Sequence, residues 1–432
     1  MSRLGSGGHY RTGVMAAAVA LGMLAVGVGG SDARPAKSNA TTISMLAITT
    51  QKPGFDVLNA NFERVYPNVE IDASYAATTA IRDQLEATQL AAGNAPDVLS
   101  VSPGCFKLVA VCPLAKAGHL APMINKPWVR WSLPFVISLD KSGPNLYAFS
   151  PQVAPMGMFT NDDLFKKLGL KVPQTFAQLL DLCRKARTLG TVAIIFSADA
   201  QEVSNLIADL AVGTLYGKDK RWPANLRAGK VSFNGTPGWH AALQEYSDLN
   251  TSGCFQPGVT GTSAASAHTQ FALGRGLIDA SVSTNKGVID AGSPHFAFSH
   301  HPFPGGTAAG QTTTFINIQA GFGVNAHAST QNQAAAQTFL DFVARPKQNA
   351  LFARINGGLT QYQFLHGQLP AFMSAYSSVL GKHAYVVNPQ QTWWNPGVLL
   401  ALQQNQIGLL TGQRSIDDVL NAMDSAWKKG PA

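Results

Sequence analysis

Two adjacent indoles, Trp393 and Trp394, stand in the loop sequence NPQQTWWNPG, 388–397. Exposed, such a pair offers flat apolar faces to the C–H side of a sugar ring; buried, it fills a core. Trp128 and Trp131 lie in the proline-bracketed segment KPWVRWSLPF and read as packing residues. His300 and His301 are adjacent in AFSHHPFPGG. Neighbours in a strand point to opposite faces, which argues against one shared metal ion. Asp97 opens the segment DVLSVS and reads as a cap or hydrogen-bond acceptor rather than a base. The chain carries no GxSxG elbow, HExxH, P-loop or GxGxxG after a strand. No catalytic residue, metal ligand or cofactor is therefore assigned. A hydrolase with two carboxylates facing across a sugar stays open, because sequence spacing cannot show that arrangement. Asn, Gln, Ser and Thr are frequent near the ends of the expected strands, the donor and acceptor set that hydroxyl groups need.

The elements that must hold these residues follow from periodicity. TTISMLAI, 41–48, reads as a strand. Phe55, Leu58, Phe62 and Val65 then recur at three- and four-residue steps, predicting an amphipathic helix that ends before Pro67. VEIDASY, 69–75, is a second strand, a helix follows over 81–92, and DVLSVS is a third strand. This β-α-β-α-β order predicts a mostly parallel sheet with helices on its faces. A second α/β region begins near Leu164. It has a helix over 175–189, with Thr175 as N-cap and Gly190 as the residue after its end, and then the buried strand VAIIF. A helix is expected across 239–250 and a strand at LIDASVS; TTTFINIQAGFGVNAHA, 312–328, is β-rich and leads into a helix stopped by Pro346. Val419, Leu420, Met423 and Trp427 form the apolar stripe of a closing helix.

With 432 residues the chain is long enough for two or three domains or one large α/β unit. It is 46% hydrophobic and only 13% charged, which excludes intrinsic disorder. Its net charge of +8 is scattered without a Lys/Arg run, so nucleic acid is not the expected partner. Arg3 and Arg11 precede the apolar stretch 14–30, and Ser31-Asp32-Ala33 places small residues for a signal peptidase. That pattern predicts an exported chain with residues 1–33 as a signal peptide, with retention as an uncleaved anchor the alternative. In an oxidising compartment Cys105, Cys112, Cys183 and Cys254 fit two disulfides, with three connectivities open. Cys105 with Cys112 encloses the shortest loop, leaving Cys183 with Cys254.

Four passages in order resemble the extracellular solute-binding proteins of ABC importers, the family that includes maltodextrin-binding proteins. They are AAGNAPDVLSVSPG (91–104), MFTNDDLFKKLGLKVPQTFAQLLDLCRKAR (158–187), AGFGVNAHASTQNQAAAQTFLDFVARPKQNALFA (320–353) and the closing GQRSIDDVLNAMDSAWKK. The resemblance implies an α/β fold of two lobes with a ligand cleft between them. Chain crossings would fall near 151–155, 312–318 and 368–390. The first lobe would take 40–151 and 318–368, the second 152–317 and 369–432. It further implies a monomeric, non-catalytic, cofactor-free protein that captures a mono- or oligosaccharide and delivers it to a membrane permease. Carried over by position, the cleft residues would be Thr50, Gln51, Ser102, Gly104, Gln152, Ser197, Asp199, Ser283 and Asn285, with Trp393 or Trp394 stacking on a ring. The sequence departs from the family where relatives place aromatic residues and this chain has Ser102 and Ser283, which points to a smaller or different ligand. Val28 stands where a lipobox cysteine would sit, so lipid anchoring by that route is not expected. Two alternatives remain: the same fold around a polyol, glycerophosphodiester, polyamine or metal chelate, and a secreted glycosidase.

Overall fold

Strand Thr41–Ile48 and strand Val69–Ala76 pair in parallel along their full length, from Thr41 opposite Val69 to Ile48 opposite Ala76. Helix Lys52–Val65 makes the crossover between them, and helix Thr79–Ala92 leads on to the fully buried strand Val98–Val101. The β-α-β-α-β order expected from periodicity is thus present. The computed structural model describes residues 40–305 and 313–431. The expected signal segment, 1–33, lies outside them. Among the described residues no helix is long and apolar enough to cross a membrane.

The first sheet has five strands in the order Val69–Ala76, Thr41–Ile48, Val98–Val101, Gly321–Asn325 and Leu120–Ala121. The last two run antiparallel to their neighbours, so the chain returns to complete a sheet it left long before. The core under this sheet holds Phe55, Leu58 and Phe62 from one helix, Phe339 and Val343 from helix Thr330–Val343, and Trp128. Burying each such side chain contributes roughly 1.5–3 kcal/mol. Val65, on the predicted stripe, is instead 53% exposed, because it occupies the last turn of the helix beyond the edge of the sheet. Trp128 packs as expected and donates its Nε1–H to Asp341 at 3.0 Å. Asp97 is an acceptor as expected, taking the backbone N–H of Ser44 at 2.8 Å and its hydroxyl at 2.9 Å.

A second sheet orders Phe298–His301, Met158–Asn161, Gly276–Asp279 and Val192–Ile195. Its helices include Phe176–Thr188, capped by the Thr175 hydroxyl, and Ala200–Ala211, which is buried nearly throughout. The closing helix Ile416–Trp427 packs here by the stripe read from sequence, Val419, Leu420, Met423 and Trp427. A third, three-stranded sheet lies between these regions. It places Tyr385–Val387 parallel and Val153–Pro155 antiparallel to the central strand Thr314–Ile318. Its own core contains Val153, Ile316, Leu359, Met373 and Tyr376. Three passes of the chain therefore connect two α/β regions, each with a separate core. Disulfides join Cys105 to Cys112 and Cys183 to Cys254, the pairing that loop length favoured.

Candidate ligand cleft

The central connecting strand alternates between apolar and amide side chains. Ile316 and Ile318 enter the connecting core, while Asn317 and Gln319 turn to the other side and line a cavity of about 130 Å³. Gln152 on the first pass and Asn388 and Gln391 on the third face the same space. The passes are locked together by side chains. The Asn388 amide donates to Asn317 Oδ1 at 3.0 Å, and Gln391 both accepts from Ile318 N–H at 3.1 Å and donates to its carbonyl at 2.7 Å.

The first region contributes Thr50 and Gln51 from the short turn after strand Thr41–Ile48, and the loop Ser102-Pro103 with Phe106 and Lys107. That loop is folded back on itself: Ser102 N–H donates to Val109 C=O at 3.0 Å, and Cys112 N–H to Gly104 C=O at 3.0 Å. The Cys105–Cys112 bridge closes it. The second region contributes Gln201, Glu202 and Asn205 from the first turns of helix Ala200–Ala211, and Val282, Thr284 and Asn285 after strand Gly276–Asp279. Asn356 completes the lining from the first region. Its amide sits against Gly54, where a Cβ would come within 2.5 Å of it.

Several of these polar atoms are buried and have no hydrogen-bond partner among the described residues. They are Gln152 Nε2, Asn285 Nδ2, Gln319 Nε2, Glu202 Oε2 and both amide atoms of Asn356. Native proteins rarely leave such groups unpaired, since each costs roughly 1–3 kcal/mol. Their convergence on one cavity from three parts of the chain marks it as the candidate site for a polar ligand.

The charges lining the cleft are few and largely neutralised. Arg82 is buried; its guanidinium bonds to the carbonyl and hydroxyl of Ser100 and pairs with Asp83 at 2.5 Å, and Lys107 shares Asp83 at 3.1 Å. Burial pushes Glu86, beside Arg82, up to about 8, against the pull of the guanidinium. Glu202 is the one carboxylate among the lining residues. Burial pushes it up to about 7; His268 opposes the rise, while Asp279 and Asp199 add to it. Burial also disfavours the charged form of His268, but Asp279, 2.7 Å from its Nδ1, outweighs this and holds it near 9. Among the described residues no group of three His, Cys, Asp or Glu side chains could hold a metal. His300 and His301 diverge: His300 is buried between the Tyr376 hydroxyl and Ser281 C=O, while His301 meets the Ser299 hydroxyl.

Of the positions read from sequence, Thr50, Gln51, Ser102, Gln152 and Asn285 line the cavity and the others do not. Gly104 lies behind Ser102 in a left-handed turn, φ 72°, pressed against the Gln391 carbonyl. The Ser197 hydroxyl is spent on Thr262 C=O, and Asp199 on Ala264 N–H. Ser283 is fully buried beside Gly357. The tryptophan expectation needs correction. Trp393 is 2% exposed and packs edge-on against Phe233, 5.6 Å between centroids, while Trp394 stacks on Trp427 at 4.2 Å. Trp393 belongs to the core of the second region and the half-buried Trp394 packs against it; among the described residues Phe106 is the only aromatic one lining the cleft. The reading from sequence missed Gln201, Glu202, Asn205, Asn317, Gln319, Asn356, Asn388 and Gln391. The alternation in FINIQ already signalled two of them.

Residues 47–350 match the sequence model of the family described as bacterial extracellular solute-binding protein. The chain belongs to that family. No curated protein matches it. Among solved structures, this solute-binding protein is similar to one from a study of xylan utilisation by Caldanaerobius polysaccharolyticus (TM-score 0.76, 17% identity, 89% of this chain and 99% of that one). It is also similar to maltose-bound MalE3 of T. maritima (TM-score 0.73, 18% identity, 90% and 100%). A sugar transporter of Bacillus licheniformis in complex with stachyose gives a TM-score of 0.70 at 16% identity, covering 90% and 100%. At these identities the likeness shows the two-lobed fold. The family is a solute-binding class, and its members are extracellular.

Proposed function

We propose that this solute-binding protein captures a neutral mono- or oligosaccharide in the cleft and, as an exported monomer, delivers it to the membrane subunits of an ABC importer. The observation that carries the reading is the set of unpaired buried amides of Gln152, Asn285, Gln319 and Asn356. Neutral amides offer both donors and acceptors, which suits sugar hydroxyls and suits neither a metal chelate nor a purely cationic solute. The lining argues against an anionic cargo, because its arginine is already committed to Asp83 and Ser100. It argues against glycoside hydrolysis as well, because that chemistry needs two carboxylates and Glu202 stands alone there. The similar structures, one from a study of xylan utilisation and two with bound maltose or stachyose, support the same class.

In this reading the lobes are 40–151 with 318–368, and 152–317 with 369–432. Ligand bridging them shifts the population toward the closed form by bending at the three connecting strands. The test is a thermal-shift screen of the chain against neutral sugars, polyols, phosphodiesters, amino acids and polyamines. Ligand bound only by the folded state raises Tm by mass action. A rise with one neutral saccharide class is the expected result; rises confined to charged solutes would overturn the sugar assignment.

A further inference from the structure

A second cavity, about 1010 Å³ and open to solvent, lies on the other side of the loop Asn356-Gly357-Gly358 from the ligand cleft. Its lining includes four cations, Arg64, Lys286, Lys347 and Arg354, and no carboxylate. Lys347, Leu351 and Arg354 recur at four- and three-residue steps, so helix Pro346–Ile355 presents them on one face. Arg64 comes from the last turn of helix Lys52–Val65. Lys286 comes from the other lobe, where it pairs with Asp290 at 2.5 Å and lies over the Phe372 ring at 5.4 Å. Neither Lys347 nor Arg354 has an ion-pair partner among the described residues.

Between the cations lie the apolar side chains of Val65, Leu351, Leu369, Pro370 and Phe372, with the amides of Asn61, Gln348, Gln363 and Gln368 beside them. Cations around apolar groups fit a chain that carries carboxylates and apolar side chains together. A bare polyanion would leave the apolar groups wet. A bilayer surface, being flat, would not reach the half-buried Leu351, Leu369 and Phe372.

We propose that this groove docks an acidic peptide segment with interspersed large apolar residues, presented by a protein partner. The site is separate from the saccharide cleft, and the proposal does not depend on what the cleft binds. Gly357 makes the dividing wall thin: with φ 69°, it lies against the second lobe so closely that a Cβ would meet both Ser283 C=O and the Lys286 side chain at 3.0 Å.

The test is fluorescence anisotropy of the full chain with a labelled synthetic peptide that alternates glutamate and leucine. Two control peptides replace leucine by serine or glutamate by lysine, and anionic phosphatidylglycerol vesicles form a separate arm. The expected result is saturable binding of the glutamate–leucine peptide alone, weakened about tenfold or more between low and moderate salt. Lys347→Glu with Arg354→Glu should abolish it, and Leu351→Asp should weaken it, with Tm unchanged in both. No binding of that peptide, equal binding of the glutamate–serine peptide, indifference to the charge reversals, or binding to vesicles alone would each overturn the proposal.

Discussion

The tryptophan-rich core of the second lobe and the ligand cleft divide between them two properties that a sugar site is expected to combine. The core has the rings: Trp222, Trp239, Trp393 and Trp427 gather around Phe233 at centroid distances of 5.4 to 6.1 Å. The cleft has the cavity and several unpaired amides, with Phe106 as its only ring among the described residues. Rings bury well against one another, so a run of aromatic residues in a sequence reports packing as readily as binding. Unpaired buried amide atoms also occur away from the cleft, at Asn59, Gln390 and Gln406, but in the cleft several of them converge on one cavity. Unpaired polar atoms that share a cavity are therefore the better guide to the site, since the indole nitrogens of Trp239, Trp393 and Trp394 are also unpaired but open onto no such space.

The sharpest way to break this contrast is Trp393→Ala. Removing a buried indole should destabilise the chain by about 3–5 kcal/mol in urea unfolding. The fraction that remains folded should bind ligand as the parent does; a selective loss of affinity with stability intact would return Trp393 to the site. Asn356→Ala should behave in the opposite sense, costing about 10- to 100-fold in affinity while Tm stays nearly constant. An unchanged dissociation constant would remove Asn356 from the ligand's partners.

The two disulfides sharpen the comparison further. Cys105–Cys112 braces the loop that carries Ser102, Phe106 and Lys107 into the cleft, whereas Cys183–Cys254 ties helix Phe176–Thr188 to the core of the second lobe. Cys105→Ser with Cys112→Ser should weaken binding by about fivefold, through lost preorganisation. Cys183→Ser with Cys254→Ser should lower Tm and leave affinity alone. Equal effects of both pairs on affinity would show that the loop needs no brace.

The smallest effect is on pH dependence. Glu86, Glu202 and Asp140 have folded-state values raised to about 8, 7 and 7, above their unfolded values, chiefly by burial. His268 is raised to about 9, although burial alone would lower it, because Asp279 holds its charged form. Between pH 6.5 and 9 the folded chain thus holds more protons than the unfolded chain, and stability falls as pH rises. Tm should be higher at pH 6.5 than at pH 9, and Glu86→Gln should flatten the slope. A rising Tm over that interval would contradict the assignment of these groups.

Much of the fold was legible because helix and strand periods are local properties. The first three strands, the helix capped by Thr175 and the stripe of the closing helix all appear where the spacing put them. Val65 departs, because periodicity gives a face and not how far the opposing sheet extends. The cleft was legible in part. Thr50, Gln51, Ser102, Gln152 and Asn285 follow strand ends or crossings, where the fold itself delivers side chains to the space between lobes. Ser197 and Asp199 also follow a strand, but their side chains are taken by the backbone of Thr262 and Ala264, and the residues that reach the cleft lie further along, at Gln201, Glu202 and Asn205. Trp393 and Trp394 were illegible for a different reason. Whether a loop indole is covered depends on Phe233, Trp239 and Trp427, which approach it only through the tertiary fold.

The central claim is that neutral hydroxyls pair with the amides of the connecting strands. It is tested most directly by calorimetric titration of a neutral saccharide that shifts Tm into the parent chain and into Gln152→Ala. The account predicts one-to-one binding by the parent and a loss of about tenfold or more in the variant at unchanged Tm. Equal affinities in the two proteins would contradict it.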